Sequence, residues 1–141
     1  MHKLRHVVQR LNLIAAAPGA SALEVARRMA EGRVGCIPIL EDDRLVGVFS
    51  ERDLMVRVVV AGRDAAETPV SEVMTRDVIT AGLDDRIERC LEKMKSAGCR
   101  HLPVVADGRV ISMLSMRDLL TEEIEEQTEE IRHLREYIHQ A

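Results

Sequence analysis

Two short motifs of the same composition could do chemistry in this chain. Ser-x-Arg-Asp-Leu occurs at residues 50–54 and again at residues 115–119, displaced by 65 residues. Each copy follows an apolar β-like run, and Ser-x-x-Asp is a helix-start signal. The first amides of such a helix are unpaired and lie at the positive end of its dipole, so they can bind an anion such as phosphate. The Asp53 and Asp118 carboxylates could accept hydrogen bonds from sugar hydroxyls at the same corners.

The motifs also have a purely structural interpretation. Ser50 and Ser115 could be N-caps, with the aspartates closing capping boxes, an arrangement that is common and contributes only ~1 kcal/mol. The match between the copies, however, runs without a gap over residues 29–54 and 94–119. This repetition favours a binding role for both corners.

An arginine precedes the aspartate in each copy. Arg52 and Arg117 could bind phosphate through two parallel hydrogen bonds, or could be solvated residues on a helix surface. The sequence leaves both interpretations open.

The residues around the motifs predict a repeated β-α-β-β-α unit. Capping and turn signals place the first helix after Ser21 with Gly32 at its end, and the corresponding helix after Asp84 or Asp85, stopped by Gly98. The predicted elements of the first half are strand 13–15, helix 22–31, strands 36–40 and 45–49, and helix 51–60. Those of the second half are strand 78–80, a helix with its core face at 87–94, and a hairpin of strands 102–105 and 109–114 around the Asp107-Gly108 turn. The predicted domains are 7–62 and 73–120, with a linker at 63–72 and an acidic helical tail at 121–141.

The tail has a different periodicity. Ile124, Ile131 and Ile138 are seven residues apart with Leu134 between them, which is typical of a narrow coiled-coil seam. A helix of this length is marginal alone, so the seam needs a partner surface. It could pack against the domain pair or a second subunit, or it could be a solvated extension.

Composition excludes several functions. With one Phe, one Tyr and no Trp among 141 residues, the chain has almost no aromatic surface for stacking bases. It also lacks the basic patch that is typical of proteins that bind nucleic acids. The net charge is -4, although seven Glu and two Arg give the tail alone -5. No apolar run approaches the length of a membrane span, so we expect a soluble, cytoplasmic protein.

The three cysteines form no CxxC pair and are expected to be reduced and buried. No hydrolase, P-loop or zinc-protease motif is present, which argues against an enzyme.

These features resemble a tandem pair of CBS domains, the module named after cystathionine β-synthase and also called a Bateman module. The resemblance covers roughly residues 7–120. It rests on the doubled unit and motif, on Val-Gly-Cys-Ile-Pro-Ile and Cys-Arg-His-Leu-Pro-Val before the hairpins, and on the Val-Met-Thr of residues 73–75. It implies an α/β (α+β) fold of two pseudo-symmetric units plus a C-terminal helix. Two clefts between the units would each take an adenine nucleotide such as AMP, ADP or ATP, or, as in some members, NAD or S-adenosylmethionine.

The resemblance also implies roles for individual residues. One cleft would contain Ser50, Arg52 and Asp53, and the other Ser115, Arg117 and Asp118. The remaining nucleotide-binding residues would be the apolar walls and the residues near the phosphates, namely Leu13, Ile14, Pro38, Thr75, Val78, Ile79, Pro103, Arg100 and His101. The first half has Gly35 and Cys36 where the second has Arg100 and His101, and the second half has Ser112 where the first has Gly47.

The function implied is that of a stand-alone regulatory module without catalysis or a catalytic cofactor. It would sense a nucleotide and signal to an unknown protein effector, and it would form a homodimer, since family members usually assemble as flat dimers. Apolar helix faces, such as that of Leu91 and Met94, would form the dimer contact. The alternatives are a structural module with vestigial clefts and a redox-responsive dimer through Cys36 or Cys99.

Overall fold

An antiparallel hairpin lies at the centre of each half. The computed structural model describes residues 4–8 and 13–140. Strand β1 (Cys36–Glu41) pairs with β2 (Arg44–Ser50), and β3 (His101–Ala106) pairs with β4 (Arg109–Ser115). In each hairpin one residue of the second strand has no partner in the pairing register. It is Val46 in β2 and Ile111 in β4, and these two positions are 65 residues apart. The repeat seen in the sequence therefore extends to the position of the β-bulge.

Helices flank the hairpins in the predicted order. The chain forms α1 (Leu4–Val8), α2 (Ala22–Gly32), α3 (Glu51–Asp53), α4 (Ile87–Ala97) and α5 (Met116–Gln140). Helix α3 continues as a π-helix over Leu54–Val59, and a 3-10 turn spans Val70–Glu72. The architecture is α+β with a C-terminal helix, as predicted, and within the described residues no helix is both long and apolar enough to cross a bilayer.

The ends of α2 confirm one predicted cap and correct the other. The Ser21 hydroxyl accepts a hydrogen bond from the Glu24 amide at 3.0 Å, as the capping signal predicts. The left-handed residue that ends the helix is Arg33, with φ of 55°, and not Gly32. Gly32 has a packing role instead, because a Cβ there would collide with the Ile14 side chain.

The predicted cap of α4 is wrong. Arg86 occupies the N-cap position without a capping side chain. Asp85 serves the preceding turn, where its carboxylate accepts hydrogen bonds from the Gly82 amide at 2.9 Å and from Lys93 at 3.3 Å. These hydrogen bonds, that from Gly82 above all, lower the pKa of Asp85. Gly98 ends the helix at φ of 67°, as predicted.

The predicted first strand of each half is reduced to a single bridge. Ala16 pairs with Ile39 and Ala81 pairs with Val104, both in parallel, while residues 13–15 and 78–80 form no strand. The bridging alanines donate to the carbonyls of Pro38 and Pro103, at 3.2 and 2.9 Å. A longer parallel ladder would require a hydrogen bond from the amide of the same proline. Because proline has no N–H, the pairing stops there.

The segment that precedes each unit packs on the other half. The first core is built around Ile37, Ile39 and Phe49 and includes Val70, Val73 and Met74 from the connection between the halves. The second core is built around Met94, Leu102, Val104, Leu114 and Leu119 and includes Leu4 and Val7 of α1. Backbone hydrogen bonds of 2.9 Å in both directions between Val48 and Thr75 add a short antiparallel bridge beside β2. The halves are therefore interlocked.

Two surfaces bear on the sequence-based expectations for assembly. Met94 is fully buried and Leu91 is partly buried against the second core, so of these two residues only Leu91 keeps apolar surface for the expected dimer contact. The tail continues α5 as one 25-residue helix. Its residues 127–140 are exposed, so the seam does not pack against the domain pair.

Candidate functional site

The first strand-to-helix corner is a fully formed capping box. The Ser50 hydroxyl accepts a hydrogen bond from the Asp53 amide at 3.1 Å, and the Asp53 Oδ2 atom accepts from both the amide and the hydroxyl of Ser50 at 3.0 Å. The other oxygen, Oδ1, accepts from the Thr75 hydroxyl at 3.1 Å and lies 3.7 Å from the Arg57 guanidinium. Asp53 is 8% exposed. Both of its oxygens are thus occupied by groups of the protein itself.

Arg57 is a residue of this corner that sequence reasoning missed. It pairs with Asp53 one helical turn away and donates to the Met74 carbonyl at 2.8 Å. The two contacts fasten the segment around Thr75 to the start of the helix. The signal that could have revealed Arg57 is its i,i+4 spacing from Asp53, which places oppositely charged residues on one helix face.

The second corner has the same backbone arrangement with a less occupied carboxylate. The Asp118 Oδ2 atom accepts from the Ser115 amide at 3.0 Å, and the Ser115 hydroxyl accepts from the Asp118 amide at 3.1 Å. Asp118 is half-buried, and within residues 4–8 and 13–140 its Oδ1 atom accepts no hydrogen bond. The position of Arg57 is taken by Glu122, so this half has no equivalent cation on the helix. Asp118 is the better placed of the two aspartates to bind a ligand.

His101 is at the second corner, where carboxylates of both halves act on its pKa. It pairs with Ser115 across the hairpin, and the neighbouring Arg100 carbonyl accepts from the Met116 amide at 2.7 Å. Burial lowers the pKa of His101, while the carboxylates of Glu51 and Asp118 oppose that shift. Glu51 comes from the first half, and no sequence signal could have found it, because its counterpart in the repeat is Met116. The corner therefore combines Arg100 and His101 with two carboxylates.

Some of the other predicted site residues lie beside the prolines of the hairpins, where they could form apolar walls, and others are exposed at the surface. Residues 13–16 lie beside buried Pro38 and residues 78–81 beside buried Pro103, through the bridges at Ala16 and Ala81. In these walls Leu13 and Ile79 are exposed apolar side chains, whereas Ile14 and Val78 are half-buried. Arg52, Arg117 and Arg100 are exposed, and Thr75 joins the first corner only. The structure thus brings Ser50, Asp53 and Thr75 together in one place and Ser115, Asp118 and His101 together in another.

Gly47 allows the Thr75 segment to approach β2. A Cβ at this position would lie 2.6 Å from the Met74 sulfur and 2.8 Å from the Thr75 carbonyl oxygen. Real Cβ atoms do not come this close to backbone. Its counterpart Ser112 is fully buried, and its hydroxyl has no hydrogen-bond partner in the described part of the chain.

Burial makes two of the three cysteines less reactive as thiols. Cys36 is buried, and burial raises its pKa to about 12, with smaller contributions from Asp53 and Cys99. Burial likewise raises the pKa of Cys90 to about 11. A thiolate is required for nucleophilic attack, and both shifts favour the thiol. No group of three metal-ligating side chains occurs in the described segments.

His101 should make stability depend on pH below neutrality. Because its pKa is lower in the folded chain than the ordinary value of 6.5, the unfolded chain binds more protons once the pH falls below 6.5. The free energy of unfolding should therefore decrease from pH 6.5 down to the folded pKa. Urea unfolding of the parent and of His101→Gln, in steps from pH 7.5 to 5, measures this difference. Parallel pH profiles for the two proteins would contradict the prediction.

Comparison with known proteins places this architecture in a family. The family model of the CBS domain matches residues 4–60 and 70–125. The protein MK0525 of Methanopyrus kandleri is 34% identical over 115 residues, which cover 80% of this chain and 59% of that protein, so the chain spans only part of the length of this relative. Among solved structures, the CBS domain protein NE2398 has a TM-score of 0.82 at 31% identity, covering 87% of this chain and 98% of that one.

A second solved structure adds a ligand. A CBS domain protein of Pyrobaculum aerophilum, in complex with AMP, has a TM-score of 0.75 at 29% identity, covering 83% of this chain and 89% of that one. The family model matches twice, and the two matches contain the two halves of the fold. The chain belongs to the CBS domain family and carries two CBS domains in tandem.

Proposed function

We propose that this chain is a regulatory module that binds an adenine nucleotide at its second corner and reports occupancy to a protein partner. The observation that carries the proposal is the half-buried Asp118 carboxylate, which has an oxygen free of hydrogen bonds from the described residues. A ribose has two adjacent hydroxyls that can donate to such a carboxylate. Arg100 and His101 lie beside it and can donate to a phosphate.

The AMP-bound relative from Pyrobaculum aerophilum supports the choice of ligand class. Family membership supports a binding role in preference to catalysis. The wall beside the corner is consistent with an adenine nucleotide and with a binding role. Val78 and Ile79 flank Pro103 there and offer apolar surface to a base.

The first corner is a weaker candidate for the same ligand. Asp53 already accepts two hydrogen bonds from Ser50 and one from Thr75, so fewer of its lone pairs remain for ribose hydroxyls than at Asp118. In addition, Gly35 and Cys36 supply no cation for a phosphate at that strand entry. We therefore assign the nucleotide to the corner of Asp118.

We propose that signalling involves Glu51. This residue begins α3 of the first half, and its charge acts on His101 of the second half. A phosphate bound near His101 would be attracted by Arg100 and repelled by Glu51, so its binding energy depends on how the halves are arranged. A ligand shifts an equilibrium between two arrangements only by its difference in affinity for them. A partner protein that contacts both halves could read that shift.

Glu51 also favours a second candidate ligand. The two carboxylates that act on His101, whose pKa burial lowers, would attract an adenosyl compound with a positive charge in place of phosphate. S-adenosylmethionine has that charge. The same corner would bind it through the ribose, with Glu51 near the sulfonium side.

A ligand panel tests the proposal. Thermal unfolding is measured with AMP, ADP, ATP, NAD and S-adenosylmethionine, followed by calorimetry of each compound that stabilises the protein. A ligand at 100 times its Kd should raise the free energy of unfolding by about 2.7 kcal/mol. Glu51→Gln separates the candidates, because it should tighten binding of AMP and weaken binding of S-adenosylmethionine. If none of the compounds raises the melting temperature, the nucleotide-sensor function is wrong.

A further inference from the structure

The projecting part of α5 carries an apolar stripe that its own chain leaves uncovered. The stripe consists of Leu120, Ile124, Ile131, Leu134 and Ile138, whose side chains are 44–68% exposed. Helix α5 packs on the body through its other side, where Leu119 and Glu122 are buried. Given 3.6 residues per turn, the stripe lies roughly 130° around the helix from that side. Residues 127–140 are all exposed, so a second helix could lie along this part of the stripe without meeting the body.

The stripe follows a heptad pattern. Ile124, Ile131 and Ile138 occupy the a positions, and Leu120, Gln127 and Leu134 occupy the d positions. β-Branched residues at a with leucine at d favour two parallel strands. We propose that a second copy of this chain covers the stripe, with the two α5 helices forming a parallel two-stranded coiled coil.

The polar residues of α5 distinguish the two possible orientations. In a parallel pair, Gln127 meets Gln127 of the second copy, and their side-chain amides can bond to one another. Glu130 at a g position then faces Arg135 at an e position of the second copy, with opposite charge. An antiparallel pair centred on the stripe would place Gln127 against Ile131 and Glu130 against Glu130. Both of those contacts are unfavourable, so the parallel orientation is preferred.

The stripe is large enough for a specific interface. It spans residues 120–138, or about 27 Å of helix at 1.5 Å per residue. Five large apolar side chains from each copy would be covered, which is on the order of the 1,000 Å² that a specific contact requires. Because the first turns of α5 are already anchored on the body, the cost of helix nucleation is met before pairing.

The charge of the helix predicts how the pair responds to salt. Six Glu lie within residues 122–130, so parallel pairing brings two acidic segments side by side. Their repulsion is screened as ionic strength rises. Dimerisation should therefore strengthen with added sodium chloride.

A cysteine at the seam tests the orientation in the full-length chain. In Leu134→Cys, mild oxidation should give a disulfide-linked dimer in high yield on non-reducing electrophoresis, because paired d positions lie within disulfide distance. In the antiparallel pair the same residues would be about 15 Å apart along the helices. The parent, with native Cys36, Cys90 and Cys99, is the control for other cross-links and should give little dimer.

A substitution in the stripe tests the contact itself by sedimentation equilibrium. Ile131→Asp should raise the dimer dissociation constant at least tenfold, whereas Glu136→Gln on the outer face should leave it unchanged. Both positions are exposed, so neither change disturbs the core. The proposal is overturned if the parent is a 15.8 kDa monomer at 100 μM, if Ile131→Asp dimerises as the parent does, or if Leu134→Cys gives no more cross-linked dimer than the parent.

Discussion

Replacing Asp118 by alanine should weaken binding of AMP by about 10-fold to 150-fold. Of the two motif aspartates, only Asp118 has a carboxylate oxygen that accepts no hydrogen bond from the described residues, and the change removes this acceptor for the ribose hydroxyls. A hydrogen bond to a charged group contributes about 1.5 to 3 kcal/mol, which corresponds to that loss of affinity. Isothermal titration calorimetry of the folded variant measures it. The capping role of Asp118 should cost a further ~1 kcal/mol of stability, so unfolding must be measured alongside.

Asp53→Ala is the matched control, since it changes the equivalent residue of the repeat. It should affect stability more than affinity, because Asp53 is buried and bonds to Ser50 and Thr75 and pairs with Arg57. Affinity for AMP should stay within a few-fold of the parent. If the two variants lose affinity equally, the assignment of the ligand to the second corner is wrong.

Gly47→Ala should destabilise the protein by about 2 to 4 kcal/mol. The added methyl group would be 2.8 Å from the Thr75 carbonyl oxygen, so the Thr75 segment must move away from β2. That movement would break the two hydrogen bonds between Val48 and Thr75 and weaken the bond from Thr75 to Asp53. Urea unfolding followed by circular dichroism measures the loss.

Ser112→Ala is the control at the equivalent position of the second half. Its hydroxyl is fully buried and has no partner among the described residues, so its removal should be neutral or slightly stabilising. A Gly47→Ala protein as stable as the parent would show that the Thr75 segment does not approach β2 as closely as the structure places it.

Local signals predicted the parts of this fold that depend on neighbouring residues. The hairpins, the Ser21 cap and both Ser-x-x-Asp corners follow from turn chemistry and periodicity, and the structure confirms them. The shortening of the first strands could also have been predicted, because Pro38 and Pro103 cannot donate to a parallel ladder. The sequence-based assignment overlooked that missing N–H.

The partners of the corners could not be predicted in the same way. The charge of Glu51 influences the pKa of His101 although the two residues belong to different halves, and the different occupancy of Asp53 and Asp118 depends on which segment crosses each corner. These relations depend on the tertiary structure. The 65-residue repeat predicts equivalent sites in the two halves, whereas in the folded chain the two corners differ.

The interlocked cores have a consequence for how the pair is built. Each half receives part of its interior from a segment that precedes the other half, with Leu4 and Val7 in the second core and Val70, Val73 and Met74 in the first. This exchange is geometrically a domain swap between two subunits that happen to be joined in one chain. Joining them makes the exchange intramolecular and therefore independent of concentration. A single half, expressed alone, would lack one wall of its core and could recover it only by swapping with a second copy of itself.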